Sequence, residues 1–193
     1  ENNLGVDCDD TNPSLNLNCN PLVLNMTFNE PRGVSVFEDI GSYNNNQGIC
    51  AVGTWGICGR EDIENPLNIG EGARGVFLSG APNGEYLKIT NTNNALDLPG
   101  AFSVSVWVKL DNSLAGNRFI IDKRNLTNAT DRNFILYVGN DGLPRFAFSS
   151  ALKVNDCFAA GITNVKDNVW HHVAGVYETP AAGNKKCSLY VDN

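Results

Sequence analysis

The densest group of metal-type oxygen donors lies near the N-terminus, where Asp7, Asp9, Asp10 and Asn12 fall within six residues. Hard cations such as calcium take several oxygens from carboxylates and amide side chains in one loop. Cys8 sits inside the group, and a disulfide there would stiffen it. The competing reading is a solvated acidic turn. Imidazole chemistry is confined to His171 and His172, the only histidines. Neighbours on a strand point to opposite faces, so the two cannot serve one site. No Gly-x-Ser-x-Gly elbow offers a nucleophile, and the expectation is a packed or surface imidazole beside Trp170. Paired carboxylates, which glycoside hydrolysis needs, come nearest at Glu61-Asp62-Ile63-Glu64. On a strand Asp62 and Glu64 would share a face and Glu61 would not, and Asn65-Pro66 marks a loop, so the run reads as a solvated loop. No catalytic residue is assigned. Trp55 and Trp107 remain as ligand candidates, because an aromatic ring can stack on the apolar face of a pyranose. Otherwise Trp55 covers a core edge and Trp107 packs on its sheet under a loop.

The cysteines form an even set: Cys8, Cys19, Cys50, Cys58, Cys157 and Cys187. Their spacing lacks the Cys-x-x-Cys clusters of zinc sites, and points to disulfides and an oxidising compartment. Six cysteines allow fifteen connectivities; proximity alone favours 8–19, 50–58 and 157–187. Sequons at Asn25, Asn125 and Asn128 agree with export. The chain starts at Glu1, and a cleaved signal peptide is the expected account of that front end, although a start chosen for expression would look the same. A net charge of −7 repels phosphate backbones, which argues against nucleic acid as a partner. No apolar run is long enough to span a bilayer, so no membrane insertion is expected.

The elements that would position these residues have a period of two. From Phe102 to Leu110, residues 102, 104, 106, 108 and 110 are apolar, opposite Ser103, Ser105, Trp107 and Lys109. That is a half-buried strand. Leu22–Phe28 alternates in the same way, and further strands are predicted at 75–78, 85–89, 118–122, 134–138, 145–149, 170–178 and 187–191. Asn140-Asp141-Gly142 predicts a hairpin in which Gly142 takes positive φ. Many short strands with Gly, Asn and Pro turns, and no helical stripe, describe an all-β antiparallel sandwich or barrel. Residues 1–20 are polar and aperiodic, and read as a separate disulfide-pinned segment ahead of one domain at 21–193.

The run Ala101–Lys109, then Trp170-His-His-Val-Ala-Gly-Val-Tyr177, then Leu189-Tyr-Val-Asp192, resembles the laminin G-like, concanavalin A-like jelly-roll family. The opening strand at 22–30, the Glu38–Gly48 loop and the Gly75–Leu87 hairpin follow in matching order. The resemblance implies a two-sheet jelly-roll sandwich, often with structural calcium, in extracellular proteins that bind glycans, proteins or each other. It carries a second calcium region over from the family loop, at Asn29, Asp39, Ser42 and Asn44. Asp7–Ser14 is similar to a single calcium-binding unit of extracellular repeats. The family continues past its Leu-Tyr-Val-Asp strand, whereas this sequence stops at Asn193. Two functions are therefore expected: a secreted or cell-surface, non-catalytic adhesion module, and a structural subunit of a filament or surface layer assembled by strand exchange.

Overall fold

The computed structural model describes residues 24, 26, 28, 36–39, 46–51, 61–62, 75–76, 78, 86–91, 96–98, 100–113, 115–123, 133–149, 156–179 and 185–192. The chain forms two compact units, Glu1–Leu96 and Asp97–Asn193. Every regular element among the described residues is a strand, and every pairing is antiparallel.

The first unit holds β1 (Val36–Phe37), β2 (Gly48–Ala51), β3 (Glu61–Asp62), β4 (Gly75–Val76) and β5 (Tyr86–Ile89). They form a three-stranded sheet in the order β1-β2-β5 and a two-stranded one, β3-β4. Two expectations are corrected here. Glu61–Asp62, read as the start of a loop, pairs with β4. Leu24, Met26 and Phe28 are half-buried, as their alternation implies, but lie outside any strand. Phe28 has φ 55°, which takes the backbone out of the extended region at that residue. The segment 1–20 lies outside the described residues.

The second unit is a sandwich of two sheets. One is ordered β10-β9-β8-β7 and the other β12-β11-β6, from β6 (Phe102–Lys109), β7 (Arg118–Lys123), β8 (Asn133–Val138), β9 (Pro144–Ser149), β10 (Cys157–Ala160), β11 (Trp170–Glu178) and β12 (Lys186–Val191). The β8–β9 hairpin forms as expected: Gly142 has φ 81° and its N–H donates to Gly139 O at 2.9 Å. Cross-strand pairs Phe134/Phe148 and Leu136/Phe146 project the inner row of one sheet into the core. Val173 and Tyr177 project from the other. Phe102 closes the aromatic cluster, its ring 5.0 Å from Phe134 and 5.5 Å from Tyr177. Burying such side chains stabilises by roughly 1.5–3 kcal/mol each.

β10, absent from the sequence-based strands, matters for cohesion. Cys157 in β10 is bonded to Cys187 in β12 with Cα atoms 5.4 Å apart, so the bridge joins the two sheets. Lys185 and Asp156, the residues just before those strands, repeat the tie with an ion pair of 2.7 Å.

Candidate functional site

Strand register decides which side chains share the outer face of the β12-β11-β6 sheet. β11 alternates strictly, with residues 171, 173, 175 and 177 buried and the intervening ones half-buried. Its even-numbered residues therefore face outward. His172 pairs with Trp107 of β6, and their rings lie 5.3 Å apart with a 42° tilt. The next row holds Ser105, Ala174 and Tyr190, and the one after it Ser103, Val176 and Ser188. Adjacent rows are about 6.7 Å apart and adjacent strands about 4.8 Å. Tyr190 thus ends the row of Ser105 and Ala174, and the aromatic pair occupies the row beside it.

Access to this face is open. Ser103 and Ser105 are exposed, and Tyr190 is 47% exposed. A Glu178–Lys186 ion pair of 3.0 Å bounds the far end. Aromatic rings offer C–H-rich ligand faces a stacking surface, and serine hydroxyls both donate and accept. The outer face of the other sheet carries exposed rings of its own, Phe119 at 56% and Phe158 at 50%, with the Phe119 ring 5.9 Å from that of Tyr137. Ile135 and Ala147 are buried there, and Arg145 is bound to Asp141 and to Leu143 O.

His171 points inward and meets two carboxylates. Its Nδ1 is 2.7 Å from Asp192 Oδ2, and its Nε2 is 3.1 Å from Asp167 Oδ1. The other oxygen of Asp192 accepts the His172 backbone N–H at 2.9 Å. Burial pushes the His171 imidazole down, but the bonds to Asp192 and Asp167 outweigh it and leave the pKa above the ordinary histidine value. Asp192 is raised by burial and lowered more strongly by His171 and the His172 N–H. Asp167 lies below the ordinary carboxylate range through the Val169 N–H and then His171. Each ring nitrogen faces a carboxylate, so neither is available to take a proton from a substrate.

Of the residues singled out in the sequence, Trp107 lies on the open face as its alternation implied. Asp39 is buried, 5% exposed, and accepts a 3.3 Å bond from the amide of the fully buried Asn46. Oxygen donors of that type suit calcium. Among the described residues no group of three His, Cys, Asp or Glu side chains is arranged to hold a metal. Asp7, Asp9, Asp10, Asn12, Asn29, Ser42, Asn44, Trp55, Cys8, Cys19, Cys58, Asn25, Asn125 and Asn128 lie outside the described residues, as does the side chain of Cys50. Sequence reasoning missed His172 as the partner of Trp107 and Tyr190 in the row beside them. Their even spacing on predicted strands fixed their parity, but only the register shows which residues stand side by side.

Fold and face together define an open-faced antiparallel sandwich module. The chain belongs to the concanavalin A-like lectin/glucanases superfamily, whose family model matches residues 81–193, more than half of its length. Searches of curated proteins and of solved structures return no match. No helix among the described residues is long and apolar enough to cross a membrane.

Proposed function

We propose that the chain is a secreted or cell-surface recognition module that binds a glycan without transforming it. The observation that carries this reading is the Trp107–His172 ring pair beside the row of Ser105, Ala174 and Tyr190 on one open face. One ring stacks on a pyranose face while hydroxyls satisfy its rim. The superfamily description names lectins and glucanases, two classes that handle sugars. A non-catalytic role is supported by His171, whose ring nitrogens are both engaged. The Cys157–Cys187 bridge fits an oxidising location. Calcium is proposed as a structural ion: Asp39, with Asn46 beside it, would supply oxygens together with Asn29, Ser42 and Asn44, and Asp7, Asp9, Asp10 and Asn12 would form the second site. A bound ion would fix these loops. Profiling the chain on a glycan array in calcium, against Trp107→Ala, tests the reading; equal signals from the two proteins contradict it.

A second reading is assembly by strand exchange. β12 ends its sheet order among the described residues, and a sheet edge offers backbone groups to an incoming strand. Its measurement is solution mass by light scattering, where a monodisperse monomer contradicts it.

A further inference from the structure

The inward side of β11 carries chemistry that the aromatic face does not use. We propose that Asp167, His171 and Asp192 form a proton-dependent clasp that fastens the last turn of the β10–β11 loop to the end of β12, and that this turn is released when the imidazolium of His171 loses a proton. The inference rests on the clasp alone and stands whether or not the outer face takes a sugar.

Geometry sets the protonation state. Carboxylates accept and do not donate, so for His171 to donate to both carboxylate oxygens, 2.7 and 3.1 Å from its ring nitrogens, the ring must be in its imidazolium form. A neutral imidazole has one N–H. One ring nitrogen then turns a lone pair toward a carboxylate, and that contact becomes repulsive. Asp192 is the better anchored partner. Its Oδ1 holds the His172 N–H, and its own N–H donates to His172 O at 2.9 Å. Asp167 has the longer contact, and its other bond, from Val169 N–H, stays within the loop. The proton therefore stays toward Asp192, and Asp167 is released.

The remaining loop anchors locate the opening. Gly161 N–H donates to Pro144 O at 2.8 Å, Val165 N–H to Gly142 O at 3.0 Å, and the Val165 side chain is fully buried. Beyond Val165 the backbone is tied by Asn168 N–H to Leu110 O at 3.1 Å. Lys166 is itself buried at 9% exposure, so the piece that opens is 167–169, with loss of the Asn168–Leu110 bond; it leads into Trp170 at the end of the outer face nearest Trp107 and His172. Val108 of β6 stands opposite His171 in register. The other charged or titratable groups of this end include His172, whose charge also acts on Asp192, Lys109, opposite Trp170 in register, and Lys166, Asp111 and Arg118; Lys166 and Arg118 act on Asp111, while the His171 imidazole answers to Asp192 and Asp167. Only histidine among these types titrates between about pH 5 and about pH 8.

The test is an NMR titration of the full chain, following the ring nitrogens of His171 and backbone amide exchange corrected for its intrinsic pH dependence. Both ring nitrogens should be protonated at about pH 6. As pH rises through the His171 midpoint, Asn168 and Val169 should lose protection while Val165 and Gly161 keep theirs. The loss should be about tenfold for each unit by which the midpoint exceeds the free-histidine value. Asp167→Asn should lower the midpoint and flatten the exchange profile. A singly protonated ring at about pH 6, a flat profile in the parent chain, or an unchanged midpoint in Asp167→Asn overturns the proposal.

Discussion

Gly175 in β11 lies directly beneath the ring of Phe146 in β9, on the opposite sheet: a Cβ placed on Gly175 would fall 2.5 Å from Phe146 Cδ2. Glycine weakens a strand interior, and its presence here lets a fully buried aromatic ring settle against the facing backbone. Gly175→Ala should therefore destabilise by about 1–3 kcal/mol through overpacking. Denaturant unfolding checks this. Phe146→Leu in the same background should recover part of the loss, whereas additive losses would count against the contact.

The Cys157–Cys187 bridge joins the sheets across a sequence separation of 30. Replacing both cysteines by serine should cost about 3–4 kcal/mol, most of it through the freed unfolded chain. The measurement is the unfolding midpoint beside that of the oxidised parent. A double variant as stable as the parent would show that the Lys185–Asp156 pair and the core suffice.

If calcium holds the loops, adding it should raise the melting temperature and EDTA should lower it. The gain is about 2.7 kcal/mol at a hundredfold excess over Kd. Asp39→Asn should lower the calcium response, since a charged oxygen is lost from the proposed set. A thermal profile indifferent to millimolar calcium would remove the ion from the account.

The clasp also predicts the pH dependence of global stability. His171 has a raised pKa in the fold, so its contribution is complete below the unfolded value of about 6.5 and is lost as pH rises through the folded one. Asp167 and Asp192 are lowered, so theirs is present above about 3.9 and is lost as pH falls through their folded values. Stability from this cluster should peak between about pH 4 and about pH 6.5. Urea unfolding across pH reads it. His171→Phe should flatten the alkaline limb, and an unaltered limb would count against the assignment.

Much of the sandwich was legible in the sequence because its strands are half-buried. The Phe102–Leu110 alternation fixed both faces of β6, and Asn140-Asp141-Gly142 fixed the β8–β9 turn. β10 was not legible: Cys157-Phe-Ala-Ala160 is four residues long, and two small alanines give it no apolar stripe. Leu22–Phe28 shows the reverse error, since alternation marked the half-burial of Leu24, Met26 and Phe28 but could not show that these positions lie outside a strand. The His171 clasp was hidden for a different reason. Its carboxylates lie 4 and 21 residues away, and only the return of β12 along β11 brings Asp192 back to the imidazole. The Trp107–His172 pair likewise depends on a register that no local pattern encodes.

The central claim is glycan recognition by the outer face built around Trp107. The direct measurement is an amide NMR titration of the chain with oligosaccharides chosen from the array, repeated with Trp107→Ala and Tyr190→Ala. The account predicts saturable shifts confined to Ser103–Trp107, His172–Val176 and Ser188–Tyr190. Each variant should weaken binding by roughly fivefold or more, as expected for about 1 kcal/mol of stacking, and the sugar should be recovered uncleaved. Saturable shifts mapping elsewhere, unchanged affinity in both variants, or a hydrolysed sugar would contradict it.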